Sequence, residues 1–213
     1  DYNFDYFAWR SLHEMYLLKL PNGKTIERPQ HMYMRVALWV TKNFDEAISY
    51  YNSLSNQLIS PATPIMINSG TKIPQLASCV LHYNNEDSRV GLLDTITDIS
   101  TYSADAAGIG LCMSNIRSKE TRISSSGGYA GGLLKYLKIV NDSLRFFNQQ
   151  GRRPGSAAIY LEPWHKDIID LLEIKKNTGA EELRARDLFT ALWIPDNFMR
   201  AVKTNSDWYL FCP

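Results

Sequence analysis

Apolar positions recur along this chain in two rhythms. Through the first sixty residues the spacing is helical: Ile48, Tyr51, Leu54 and Leu58 fall on one face, and Asn43 followed three positions later by Glu46 reads as a capping box in front of that helix. Further on, short apolar or β-branched runs at 76–81, 157–161, 188–194 and 208–211 alternate with segments of helical period. The most regular helix is predicted over about 133–147, where Leu133, Leu137, Val140, Leu144 and Phe147 recur at steps of four and three. Another carries Ile168, Leu171, Leu172 and Ile174 after Pro163-Trp164-His165. Strands alternating with helices predict an α/β layer or barrel. The division expected is an N-terminal helical region over 1–60 and an α/β region over 61–213.

Length and composition narrow the function classes. With 213 residues and 45% hydrophobic positions the chain buries a sizeable core, and a net charge of +1 supplies no overall field for nucleic acid. An anion site must therefore be a local arrangement of donors. Nothing approaches the roughly 18 uninterrupted apolar residues that span a bilayer, so a cytoplasmic protein is expected, with no membrane and no nucleic acid among its partners. The start without Met and the close on a strand-like run read as cuts in a longer chain. Cys79, Cys112 and Cys212 are odd in number and widely spaced, against a disulfide framework or a closed zinc site. His13, His31, His82 and His165 show no metal-binding spacing, so no metal is expected in this chain.

Three features carry candidate chemistry. Gly108-Ile109-Gly110 and the run Gly127-Gly128-Tyr129-Ala130-Gly131-Gly132 bring backbone amides within reach of phosphate, but neither has the spacing of a dinucleotide fingerprint or a P-loop, and turn chemistry is the stronger reading. The polar stretch 148–155, with Gln149, Arg152 and Arg153, offers amide and guanidinium donors for bases or phosphates, or is a solvated connector. Cys79 is either a small buried hydrophobe or a two-electron reductant needing a second thiol. Periodicity alone does not separate it from Cys112.

Motifs in a fixed order resolve the choice. Glu27-Arg28-Pro29-Gln30-His31-Met32, Ala62-Thr63-Pro64, Asn68-Ser69-Gly70-Thr71 and Pro74-Gln75-Leu76-Ala77-Ser78-Cys79 are followed by Ala107-Gly108-Ile109-Gly110 and Arg153-Pro154-Gly155. Then come Ile159-Tyr160-Leu161-Glu162-Pro163-Trp164-His165, Lys175-Lys176-Asn177-Thr178-Gly179, Arg184-Ala185-Arg186-Asp187-Leu188-Phe189 and Ala191-Leu192-Trp193-Ile194-Pro195-Asp196. Over nearly its whole length the chain resembles the large, catalytic subunit of class I ribonucleoside-diphosphate reductases.

The resemblance implies a fold, a reaction and a set of residues. The fold is α/β, a helical lead-in followed by roughly the first half of a ten-stranded α/β barrel, without the N-terminal ATP cone or the C-terminal half. The reaction replaces the 2′-hydroxyl of a ribonucleoside diphosphate by hydrogen, an oxidoreductase step in deoxyribonucleotide biosynthesis for DNA replication. It uses a thiyl radical generated through a metal-containing small (beta) subunit, so this chain binds no cofactor of its own. Cys79 matches the redox-active cysteine facing the 2′ position, whose disulfide partner is absent from this chain. Cys212 lies in an ordinary Cys-Pro stretch and is not the radical residue. Thr63, Ser78, Ala107 and Gly108 match substrate-binding positions. Asp87, Ser88, Arg89, Arg117, Ser124 and Ser125 match the allosteric site for a deoxynucleotide or ATP effector, and Gln149 and Arg153 the loop that couples effector to substrate base. Implied partners are the small subunit, a second large subunit in a homodimer, and thioredoxin or glutaredoxin.

Two departures from the pattern stand out: Ala104 where many relatives place an effector-site lysine, and a second loop about one residue shorter than in eukaryotic members. Since the radical cysteine's segment is missing, residues 1–213 alone are expected to be inactive. Two rival readings share parts of the signal: an adenosylcobalamin-dependent relative, and a non-catalytic nucleotide-sensing module.

Overall fold

The computed structural model describes residues 4–73, 75–84, 86–148, 151 and 154–213. They form two compact units, 1–78 and 79–213. Residues 61–78, placed with the α/β region by the division at residue 60, cluster with the helices instead.

The first unit is helical: α1 (Tyr6–Ser11) continuing into a π-helical turn (Leu12–Tyr16), α2 (Pro29–Val40), α3 (Phe44–Ser55) and α4 (Thr63–Asn68). Proline at the first position of α2 loses nothing, because that N–H has no partner within the helix, and the His31 ring accepts the Arg28 amide at 3.4 Å. Just upstream, Glu27 is buried and pairs with Arg35, Nε to Oε1 at 2.7 Å and Nη2 to Oε2 at 3.1 Å. Arg35 also donates to the carbonyls of Ser69 (2.5 Å) and Met66 (3.2 Å), tying α2 to the end of α4. The 68–71 turn is closed by its own side chains, Ser69 Oγ donating to Ile65 O at 2.6 Å and Thr71 Oγ1 to Asn68 O at 2.8 Å.

On α3 the predicted cap is half formed. Asn43 accepts from the Glu46 amide at 2.9 Å, but the Glu46 carboxylate reaches the Lys42 amide rather than that of Asn43. The predicted stripe is corrected as well: Ala47 and Leu54 are the buried positions, and Leu58 lies beyond the helix, 75% exposed.

The second unit is a four-stranded, fully parallel sheet in consecutive order: β1 (Cys79–Tyr83), β2 (Gly108–Cys112), β3 (Ala157–Leu161) and β4 (Phe189–Leu192). Helices α5 (Arg89–Ala104), α6 (Leu133–Phe146) and α7 (Ile168–Leu172) connect the strands, and α8 (Asp196–Thr204) follows β4. Parallel neighbours require such crossovers, and a consecutive order is what a barrel segment requires. Four of the five predicted α6 stripe positions, Leu133, Leu137, Val140 and Leu144, are buried in one cluster with Ile109, Leu111, Ile159 and Leu161 of the sheet, whereas Phe147 lies past the helix end, 44% exposed. Each such side chain contributes about 1.5–3 kcal/mol. The other sheet face is open, with Leu81 83% and Phe189 64% exposed.

Three local readings change. Gly108-Ile109-Gly110 is not a turn but the start of an inner strand, where a Cβ on Gly110 would sit 2.7 Å from Leu81 Cδ2 and 3.3 Å from Tyr160 Cε2, so glycine lets both flanking side chains close over β2. The first strand begins at Cys79 rather than at residue 76. Residues 208–211 make only a single bridge, Phe211 to His165.

Candidate functional site

A cleft of about 920 Å³ opens beyond the carboxyl ends of β1 and β2, the end of an open parallel sheet where loops are free to shape a ligand site. Its lining includes Asp87, Ser88, Arg89, Arg117, Ser124 and Ser125. These six residues come from three separate segments, and the fold brings all of them together.

Each wall has a local cause. Asn84, fully buried, donates to Glu86 O at 2.9 Å, accepts from Thr95 Oγ1 at 2.7 Å, and receives the Asn115 amide on its carbonyl, which fixes the exit from β1. Ser88 caps α5 by accepting from the Gly91 amide at 3.1 Å. Asp87 and Arg117 hold each other: Nε meets Oδ2 at 2.5 Å, the Arg117 amide adds a bond to Oδ2 at 3.2 Å, and Nη2 donates to Asp87 O at 2.8 Å. The serine segment is the tip of a small hairpin, bridged at Arg122 and Tyr129, with Gly127 at φ +70° making the turn.

Gly131 and Gly132, from the glycine run read as a possible phosphate segment or turn, line the cleft too, and pattern reading missed further walls, among them Ile123, Ser126 and Tyr136. The Tyr136 hydroxyl donates to Leu92 O at 2.7 Å, and burial pushes its ionisation far above the usual phenol range. Two helix N-termini, α5 at Ser88-Arg89 and α6 at Gly132-Leu133, meet at the cleft. The dipole of α5 favours an anion there, whereas the first amide of α6 is already bound to the Asp167 carboxylate at 2.9 Å. Ala104 does not line the cleft. It ends α5, fifteen residues after Arg89, or about 22 Å along the helix at 1.5 Å per residue, because helix length and not sequence proximity sets its place.

The substrate-side residues are divided between the two units. In the helical one, Thr63 opens α4 with its hydroxyl 3.2 Å from Tyr16 Oη, and Ser78 is exposed. In the sheet unit, Cys79 is the first residue of β1 and exposed, in register with Gly108, while Ala107 is buried just before β2. Cys112 pairs with Tyr83 at the other end of those strands, four residues or about 13 Å away. A disulfide needs Cα atoms within about 7 Å, so Cys112 cannot be the partner of Cys79 in this sheet.

Gln149 and Arg153 lie outside the described residues. Their neighbours Asn148, Gly151, Pro154 and Gly155 line a second cleft of about 760 Å³ with Arg145, Lys175, Arg186 and Asp187.

Cys212 sits under the serine hairpin, its sulfur 3.4 Å from the Ser118 amide and 3.2 Å from Thr121 Oγ1. Burial pushes this thiol up, but the hydrogen bonds from Ser118 and Thr121 outweigh it and hold the ionisation below the usual thiol value. Because those donors stabilise the thiolate, alkylation of Cys212 followed by mass spectrometry is expected to reach half its maximal rate at lower pH in the native chain than in Thr121→Val. An unshifted profile would show that the Thr121 bond is not made in solution. Among the described residues no cluster of three His, Cys, Asp or Glu could hold a metal, and no helix is long and apolar enough to cross a membrane.

The family comparisons match this architecture unit by unit. The model of the ribonucleotide reductase all-alpha domain matches residues 2–74, and that of the ribonucleotide reductase barrel domain matches residues 77–213. Along its whole length the chain is 48% identical to the ribonucleoside-diphosphate reductase large subunit of Danio rerio, 46% to that of Vaccinia virus (strain Copenhagen) and 44% to that of Dictyostelium discoideum. It covers 27%, 28% and 25% of those proteins, about a quarter of the length of the curated relatives it matches. With a helical unit and a consecutive parallel sheet on the same stretches as the two family models, the chain belongs to the ribonucleotide reductase large-subunit family.

Proposed function

We propose that this chain contributes one redox thiol and an effector site to the reduction of ribonucleoside diphosphates to 2′-deoxyribonucleoside diphosphates. The observation that carries the reading is the convergence of Asp87, Ser88, Arg89, Arg117, Ser124 and Ser125 on one cleft between two helix N-termini. That is a place for a triphosphate: guanidinium and amide donors for its charge, hydroxyls and a carboxylate for a sugar. Effector and substrate sites are then on opposite ends of the same strands, the cleft beyond their carboxyl ends and Cys79 at their start. Loop 148–155 is the coupling element between effector base and substrate base. Coupling of this kind works by the effector stabilising one loop arrangement over another.

In the reaction, a thiyl radical on a cysteine of the longer large subunit, generated through a separate small subunit, activates the sugar. The 2′-hydroxyl leaves as water, and Cys79 with a second cysteine supplies two electrons, becoming a disulfide that thioredoxin or glutaredoxin reduces. The second and radical cysteines are not among the three here, and Cys112 is too far along the sheet to serve. Val90, Leu93 and Ile139 project from α5 and α6 and suit a homodimer of large subunits.

Calorimetric titration with dTTP tests the effector reading. Arg117→Ala is expected to weaken dTTP roughly 10- to 100-fold, the range for losing hydrogen bonds from a charged donor, and to change thymidine binding far less. Equal losses for both ligands would contradict a phosphate role, and absence of dTTP binding by the native protein would remove the reading.

A further inference from the structure

We propose that Asp167 is the positioning residue of the effector cleft: its buried carboxylate staples together the two roots of the 120–132 segment that carries Ser124 and Ser125. This rests on the reading of the cleft as a nucleotide site.

The segment leaves the body of the unit at Lys119 and rejoins it at Leu133. Asp167, 1% exposed, accepts the Lys119 amide on both oxygens (3.1 Å each) and the Leu133 amide on Oδ2 (2.9 Å). The Leu133 N–H is a first-turn donor of α6, one that a helix cannot satisfy internally. A side chain at the cap position accepts from the second or third helical N–H and leaves the first to other partners, and here the cap is Gly132, with φ +84° and no side chain at all. Glycine is required: a Cβ there would lie 2.5 Å from Lys119 Cβ and 3.0 Å from the Lys119 backbone. The two roots touch, and the cap comes from a residue 34 positions downstream.

Asp167 is itself fixed. Its amide donates to His165 Nδ1 at 3.1 Å, so the proton of this fully buried ring is on Nε2, which donates to Ile116 O at 2.6 Å. Ile116 immediately precedes Arg117. The turn between β3 and α7 thus grips the polypeptide at 116, 119 and 133, next to the arginine, serine and diglycine walls of the cleft. On its far side the same turn is held by Trp164 stacked on Phe211, centroids 4.6 Å apart, and by Lys166 N to Phe211 O at 3.0 Å and Phe211 N to Trp164 O at 2.9 Å. Backbone amides and the N-terminus of α6 compensate the Asp167 charge, and the Lys119 ammonium, bound to Asp170 at 2.5 Å, also acts on it through space.

The test is Asp167→Asn in the full-length subunit, with dTTP affinity and dTTP-stimulated turnover as readouts. Asparagine has the same shape but turns one acceptor into a donor facing an N–H. At least tenfold weaker dTTP binding is expected, with turnover restored when dTTP is raised to saturation. Affinity within twofold of the native protein would overturn the proposal, as would turnover that saturating dTTP does not restore, the mark of general damage. If the variant does not fold, hydrogen exchange of the native protein decides: Lys119 and Leu133 amides exchanging much more slowly than those at 124–128 support the staple, and equal rates overturn it. Failure of the native protein to bind dTTP would sink the effector reading alone, with the staple still judged by exchange.

Discussion

Replacing Cys79 by alanine, in a subunit long enough to carry the second and radical cysteines, is expected to lower diphosphate reduction by more than about 10³-fold, because residues that act as a unit in one chemical step fail together when one is removed. Serine separates the two duties of the thiol. A hydroxyl can still give a proton to the departing 2′-oxygen, but it cannot surrender electrons to become half of a disulfide, so Cys79→Ser is expected to be as inactive as alanine. The site is open to reaction: Cys79 is exposed at the start of β1, and its register partner Gly108 has no side chain to cover it. dTTP binding should be unchanged in both variants, since the cleft is at the other end of the strand. Residues 1–213 by themselves are expected to show no turnover. Turnover within tenfold of the native level in either variant would remove Cys79 from the chemistry.

The second large effect is on stability. Glu27→Ala leaves the Arg35 guanidinium buried with only the carbonyls of Ser69 and Met66 for company, and breaking one side of a buried pair costs about 3–5 kcal/mol. Glu27 also accepts the Leu18 amide at 3.0 Å, so its loss frees a second, half-buried donor. The loss is local to the helical unit, and hydrogen exchange should show α2 and α4 opening while β2 and β3 keep their protection. Replacing both partners by apolar residues of similar volume is expected to recover much of the loss, because no uncompensated charge then remains. Unchanged exchange in α2 after Glu27→Ala would mean the pair is not formed in solution.

These cases show why some motifs carry meaning only through the fold. Glu27-Arg28-Pro29 reads as a helix start, and Pro29 is one, but the weight of Glu27 comes from an arginine eight residues on and carbonyls forty residues on. Arg184 and Arg186, in another of the motifs, fold back on the 176–179 turn: Arg184 donates twice to Thr178 O and Arg186 once to Lys176 O. No local pattern reveals such partners. The six cleft residues were placed by resemblance, and their gathering by the fold supports that reading without any of them having been legible from spacing.

By itself the sequence determined what depends on local period and on motif order. Helix α6 was readable because an amphipathic stripe is written in the order of side chains, and the family because long motifs in fixed order have no other cause. Tertiary structure decided everything that depends on which segments become neighbours. Gly110 is a strand residue because Leu81 and Tyr160 press on it from either side. The α3 stripe lost Leu58 because burial needs an opposing surface and not only a helical face. Position 132 is glycine because Lys119 occupies the space a side chain would need, and the first amide of α6 finds its acceptor in Asp167, 34 residues away. Hydrogen bonds and close contacts act over a few ångströms in space, whatever the distance along the chain, and that is the information a one-dimensional pattern does not contain.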